Sequence, residues 1–156
     1  MKLTPNTGYS FSSLREITPY LEHSGSGITS LWARTTALKY DCVVSVGYPE
    51  KADVSKFWPT GPEYYNSTIV VNGDGETIAN YRKAHLYPTD ETWALEGRDG
   101  FYHDDIPGLG TTAMGICMDI KYVLFLLHVR REDANRAIAL TNLKPLGTPS
   151  SSGSTS

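Results

Sequence analysis

Cysteine is scarce in this sequence: there are two, Cys42 and Cys117, far apart in the chain. That spacing excludes a disulfide framework and a paired-thiolate metal site, and it suits a reducing compartment. Long apolar runs are also missing. The longest, residues 122–127, falls far short of the roughly 20 residues a helix needs to cross a bilayer, and residues 1–10 are too polar for a signal peptide. We therefore expect a cytoplasmic chain that does not meet a membrane. Asn66-Ser67-Thr68 matches a glycosylation acceptor, but without secretion it would not meet the modifying enzyme. Positive charge has no excess either, with 14 Lys plus Arg against 17 Asp plus Glu and no basic cluster. Such a chain lacks the surface that tracks a phosphate backbone, so nucleic acid is excluded as a partner. His23, His85, His103 and His128 show no metal-ligand spacing, and no metal or cofactor is expected.

What is present suffices for one folded domain. Apolar residues make up 40% of the 156, including 3 Trp, 10 Tyr and 4 Phe, and only 20% are charged, which supports a core of ordinary size. We expect that domain over residues 1–146. Residues 147–156 are almost wholly Ser, Thr, Gly and Pro, too polar to offset the entropy of ordering, so a disordered tail is expected there.

Local pattern predicts alternating helices and strands. A first helix has Ser12 or Ser13 as cap and Leu14, Ile17 and Leu21 on one face, and the Ser-Gly run at 24–27 breaks it. A second spans about 29–40, with Leu31, Ala33, Ala37 and Leu38 as its buried stripe. Residues 42–48 are β-branched and short, hence a buried strand ended by Pro49, with Cys42 in its core. Residues 50–65 read as a loop anchored by Phe57, Trp58, Tyr64 and Tyr65. Residues 67–71 and 77–81 form a hairpin around Asn72-Gly73-Asp74-Gly75. Residues 111–116 form a further strand, with Cys117 at the turn that follows, and 122–143 read as a helix. The sum is a layered α/β domain.

Two segments carry chemistry. One is Tyr81-Arg82-Lys83-Ala84-His85-Leu86-Tyr87-Pro88, directly after the hairpin and followed by Asp90-Glu91-Thr92-Trp93; the other is Met114-Gly115-Ile116-Cys117-Met118-Asp119. Together they resemble the carbon–nitrogen hydrolase, or nitrilase, superfamily. Supporting stretches are Thr7-Gly8-Tyr9-Ser10-Phe11, Val46-Gly47-Tyr48-Pro49 and Tyr65-Asn66-Ser67. The likeness is greatest to fungal members that hydrolyse the side-chain amide of an N-terminal Asn or Gln.

The resemblance implies an α-β-β-α sandwich, here a partial one, and a substrate that is a peptide or protein N-terminus bearing Asn or Gln. It implies Cys117 as nucleophile, Lys83 as the cation that holds the oxyanion together with the backbone N–H of Met118, and Glu91, eight positions after Lys83, as supporting carboxylate. It also implies pairing of subunits into a homo-oligomer. The chemistry explains these residue types. A thiol attacks as thiolate, a form that a nearby ammonium favours. Each donor on the developing oxyanion is worth about 3 to 4 kcal/mol in other enzymes. A carboxylate must then move protons to the leaving ammonia and from the hydrolytic water.

Taken singly, Cys117 reads as an inert buried thiol, Lys83 as a solvated strand charge and Glu91 as a loop acid; only their shared context changes those readings. The family's base Glu falls near position 3, where this chain has Leu3, and the chain is short for the family. A truncated, inactive remnant or association module is therefore the alternative expectation. Glu50 is a weak substitute for the base, and Asp119 reads first as a cap on the segment that follows it.

Overall fold

A computed structural model describes residues 11–53, 61–107 and 109–119, and the backbone alone of 136–140. In chain order the elements are α1 (Leu14–Ile17), a 3₁₀ turn (Thr18–Tyr20), α2 (Ile28–Tyr40), β1 (Val44–Ala52), β2 (Glu63–Val71), β3 (Thr77–Arg82), β4 (Tyr102–Ile106), β5 (Gly110–Ile116) and β6 (Arg136–Leu140). The strands make two sheets of three, in the orders β1-β2-β3 and β4-β5-β6. All pairs are antiparallel except β5 with β6.

Side-chain alternation assembles these elements into layers. Ala33 and Ala37 of α2 pack with Val44, Tyr48, Ile69 and Val71 on one face of the first sheet. From its other face Val70, Ala79 and Tyr81 pack with Ile106, Met114 and Ile116 of the second sheet. Helix on sheet on sheet accounts for three layers of the expected α/β sandwich. It also explains why β2 is buried from Tyr65 through Val71: a central strand covered on both faces loses the polar alternation of a half-exposed one. A third cluster joins Ile17 to Trp93 and Ala94.

The hairpin expected around residues 72–75 is present, with Val71 opposite Thr77. Gly75 has φ +77 there, which a residue without Cβ adopts freely.

Several local expectations need correction. The first helix is a single turn that tightens into the 3₁₀ turn at Pro19, whose missing N–H stops an α-helical ladder. In α2 the buried positions are Ser30, Ala33 and Ala37, whereas Leu31 and Leu38 are exposed. Small residues let the helix approach the sheet closely, so they take the inner face. Pro49 does not end β1. The outer edge of that strand is met by Glu22, whose N–H donates to the Pro49 carbonyl (2.9 Å) and whose carbonyl accepts from Lys51 N–H (2.8 Å). Pro49 thus faces away from β2, where its missing donor costs no ladder bond.

Cys42 is exposed, in the turn after α2 rather than in a strand core. Asp41 turns left-handed there at φ 47, and Cys42 N–H caps the helix on the Ala37 carbonyl. Tyr64 and Tyr65 belong to β2, not to a loop, while Phe57 and Trp58 lie outside the described residues. β4 was not legible at all. Residues 136–140, inside the span expected to be helical, form β6 parallel to β5; pairing along an open strand overrides local propensity. The rest of 122–143 and the tail 147–156 lie outside the described residues.

Candidate active site

Cys117 follows the last residue of β5 and adopts φ +52, a left-handed conformation that costs a residue bearing Cβ about 1–2 kcal/mol. Such geometry persists where the surroundings hold it. Here the holder is Asp119, fully buried two residues on. Its Oδ2 accepts the Ile116 N–H (3.1 Å) and the Tyr81 hydroxyl (2.8 Å), and its Oδ1 accepts the His85 N–H (2.9 Å). The bonds to Tyr81 and His85 come from the segment that carries Lys83. The thiol turn and the lysine segment are therefore fastened together.

Cys117 is half-buried against the core between the sheets, and Met118, whose N–H comes next along the chain, is half-buried too. Burial, reinforced by the charge and acceptance of Asp119, pushes the Tyr81 phenol far above the usual tyrosine range, so it remains a donor.

Lys83 continues β3 by one residue. Its N–H donates to the Asn66 carbonyl and its own carbonyl accepts from Gly97 N–H, both at 2.8 Å. The side chain is 1% exposed, and its Nζ meets Asp90 Oδ2 at 2.5 Å. Asp90 also accepts the Tyr87 N–H (3.1 Å) and Asn66 Nδ2 (3.4 Å). A buried ammonium needs such a partner, because stripping water from an unpaired charge costs several kcal/mol, of order 3–5.

Glu91 does not take that place. Residues 87–94 form two successive turns, and in the second Trp93 and Ala94 N–H donate to the Asp90 carbonyl. Positions three and four apart share a face, so buried Trp93 and Ala94 carry Asp90 inward and leave Glu91 exposed. The expected eight-residue offset thus lands one residue beyond the carboxylate that touches Lys83.

A second buried carboxylate, Glu50, lies on the α2 side of the first sheet, in alternation with Val44 and Tyr48. It accepts from Ser67 Oγ (2.6 Å), Asn80 Nδ2 (3.2 Å) and Arg82 at Nε (3.1 Å) and Nη2 (2.6 Å). Arg82 also lies 4.3 Å over the Tyr65 ring. Burial by itself would raise Glu50, but the Arg82 bond and charge, with Ser67 and Asn80, outweigh it and hold the carboxyl below the usual range. Tied on the sheet face opposite Tyr81, Glu50 is not a base for Cys117. It locks all three strands and fixes the residue next to Lys83.

Sequence reasoning missed the roles of Asp90 and Tyr81 and reduced Asp119 to a cap. The available signal was an Asp in a polar turn three residues before a buried Trp, and one directly after the thiol turn. Among the described residues no group of His, Cys, Asp and Glu is arranged to hold a metal ion, and no helix is long and apolar enough to cross a membrane.

Comparison with known proteins places this geometry in context. A family model described as carbon-nitrogen hydrolase matches residues 5–151. The chain is 34% identical over 137 residues to the protein N-terminal amidase of Saccharomyces cerevisiae, covering 77% of this chain and 28% of that protein. It is 34% identical over 117 residues to the protein N-terminal amidase of Schizosaccharomyces pombe, covering 74% and 40%. In structure it resembles an N-terminal amidase crystallised with an Asn-Glu-Ala peptide, at a TM-score of 0.71 and 26% identity over 86% of this chain and 36% of that one. Another crystal structure, with a Gln-Val peptide, gives 0.72 at 25% identity over 85% and 35%. The chain thus spans well under half the length of these relatives. A thiol turn after one strand, a buried lysine after another and a family match along nearly the whole sequence lead to one conclusion: this chain belongs to the carbon-nitrogen hydrolase family.

Proposed function

We propose that this chain carries the thiol and oxyanion half of an amidohydrolase site that converts the side-chain amide of an N-terminal Asn or Gln to the acid. The observation that carries this reading is the fastening of the Cys117 turn, through Asp119, to the segment that buries Lys83 on Asp90. In the reaction the Cys117 thiolate attacks the amide carbon. The Lys83 ammonium and the Met118 N–H stabilise the oxyanion, and the C–N bond breaks as ammonia leaves with a proton that, by the family likeness, a base Glu would carry. Water activated by the same carboxylate then cleaves the thioester, returning the thiol and releasing the acid. Asp90 holds the Lys83 side chain in place through their buried ion pair. The two free thiols fit a reducing compartment, the cytoplasm.

The relatives crystallised with Asn- and Gln-starting peptides support the choice of substrate. The proton-moving carboxylate belongs, by the family likeness, near position 3, which holds Leu3. The chain by itself therefore measures what the thiol and lysine achieve without it.

The test is mass spectrometry of an Asn-starting peptide incubated with the chain and with Cys117→Ala. Amide-to-acid conversion lost in the variant supports the reading. No conversion, together with a Cys117 that reacts with iodoacetamide no faster than Cys42, refutes it and leaves the non-catalytic association module. No conversion with a fast-reacting Cys117 assigns the deficit to the base, and Leu3→Glu is then the repair to assay.

A further inference from the structure

We infer that Asp119 is a positioning residue for the nucleophile: it sets the Cys117 turn against the Lys83 segment and acts through geometry rather than through its charge. This rests on the reading of Cys117 and Lys83 given above. Three donors converge on one fully buried carboxylate, and they come from two places in the chain. Ile116 is the residue before the nucleophile; Tyr81 and His85 flank Lys83 at two positions on either side.

The N–H of Ile116, held by Oδ2, fixes the plane of the Gly115–Ile116 peptide, one residue short of Cys117. The N–H of His85, held by Oδ1, fixes the chain just after Lys83. Tyr81 adds a third tether and is itself held, since its hydroxyl oxygen accepts the Ala84 N–H at 3.1 Å. The left-handed φ of Cys117 is the geometry this tether maintains.

Charge and geometry make opposite predictions. An anion close to a thiol disfavours the thiolate, so if charge were what mattered, Asp119→Asn would make Cys117 more reactive. If Asp119 positions, the same substitution makes Cys117 less reactive. An amide has one acceptor oxygen, so whichever way it is turned its NH₂ group confronts an N–H or O–H that the carboxylate accepted. The link between the segments is then weakened by at least one of its bonds while the side chain's volume is kept.

The experiment is the iodoacetamide rate of Cys117 relative to Cys42 at one neutral pH, resolved by peptide mass spectrometry on the whole chain. Exposed Cys42 serves as the internal reference. We expect the ratio to fall about tenfold in Asp119→Asn, since a misplacement of about 1 Å can cost up to about a hundredfold in reactions that depend on orientation. A smaller fall is expected in Tyr81→Phe, which keeps the carboxylate and removes one tether. A ratio that stays unchanged in folded Asp119→Asn makes the residue merely structural and overturns the inference, as does a ratio that rises.

Should Asp119→Asn not fold, Tyr81→Phe decides in the same way. Amide hydrogen exchange in the unsubstituted chain is a test free of any variant: His85 and Ile116 should be protected together, and a freely exchanging His85 amide overturns the tether. If unsubstituted Cys117 reacts no faster than Cys42, it is the nucleophile reading that fails, while the exchange result still judges the tether separately.

Discussion

Asp90→Asn is the substitution that tests the site's electrostatics most directly. It is nearly isosteric, yet it removes the anion from an ammonium that is 1% exposed. Breaking a buried pair from one side costs about 3–5 kcal/mol, most of it from leaving the partner charge uncompensated. With a urea m-value of about 2 kcal/mol/M for a chain of this size, the midpoint should fall by about 1.5–2.5 M. Lys83→Met also destabilises, though less, because Asp90 retains the Tyr87 N–H and Asn66 Nδ2. Combined in one chain, the two substitutions remove both charges, so their effects should fall short of additivity by about 1–3 kcal/mol. Glu91→Gln, on the exposed side of the same turn, should leave the midpoint where it was. Urea unfolding followed by tryptophan fluorescence measures all four. A larger loss from Glu91→Gln than from Asp90→Asn, or full additivity of the pair, would show that Lys83 is not held as described.

Four further outcomes follow from the packing and charges. Glu50 has a folded-state carboxyl pKa below its unfolded value, so its stabilisation is complete above about pH 4.3 and is lost as pH falls through the lower folded value; Glu50→Gln should flatten that acid limb in a pH series of urea midpoints. Ile69→Ala, at a fully buried position between α2 and the first sheet, should cost about 2–5 kcal/mol, read from thermal unfolding. Gly75→Ala, at φ +77 with exposed Leu38 free to yield, should cost about 1–2 kcal/mol by the same measurement. At Gly97 an added Cβ would lie 2.4 Å from the Arg82 carbonyl oxygen. Gly97→Ala should therefore break the bond to the Lys83 carbonyl, seen as faster exchange of the residue 97 amide.

What the sequence made legible was set by how local each cause is. The hairpin at 72–75 needs only its own Asn and Gly residues, and it forms where expected. Cys117 at the end of a short apolar strand was equally visible. Pro49 misled because whether it breaks a strand depends on which side of the strand is paired, and Glu22 decides that from outside. Leu31 and Leu38 misled because α2 presents its small residues to the sheet, a choice made by the fit of two surfaces rather than by hydrophobicity. Glu91 and Asp90 are adjacent in sequence, and only the burial of Trp93 three residues after Asp90 selects between them.

The two sheets also differ in how far the chain must travel to make them. β1, β2 and β3 follow one another as antiparallel neighbours, so their pairings close short loops. The parallel β5–β6 pair demands a crossover, and the Tyr81–Asp119 bond joins residues 38 apart. Longer closures cost more entropy before any contact repays them. The first sheet with α2 should therefore gain hydrogen-exchange protection early in refolding, with the His85 amide late, and pulse labelling that finds both protected in one step would exclude this order. On the proposed reading of Cys117, the tether of its turn to the Lys83 segment is among the last contacts to close, so a newly made chain completes that site only after the first sheet is in place.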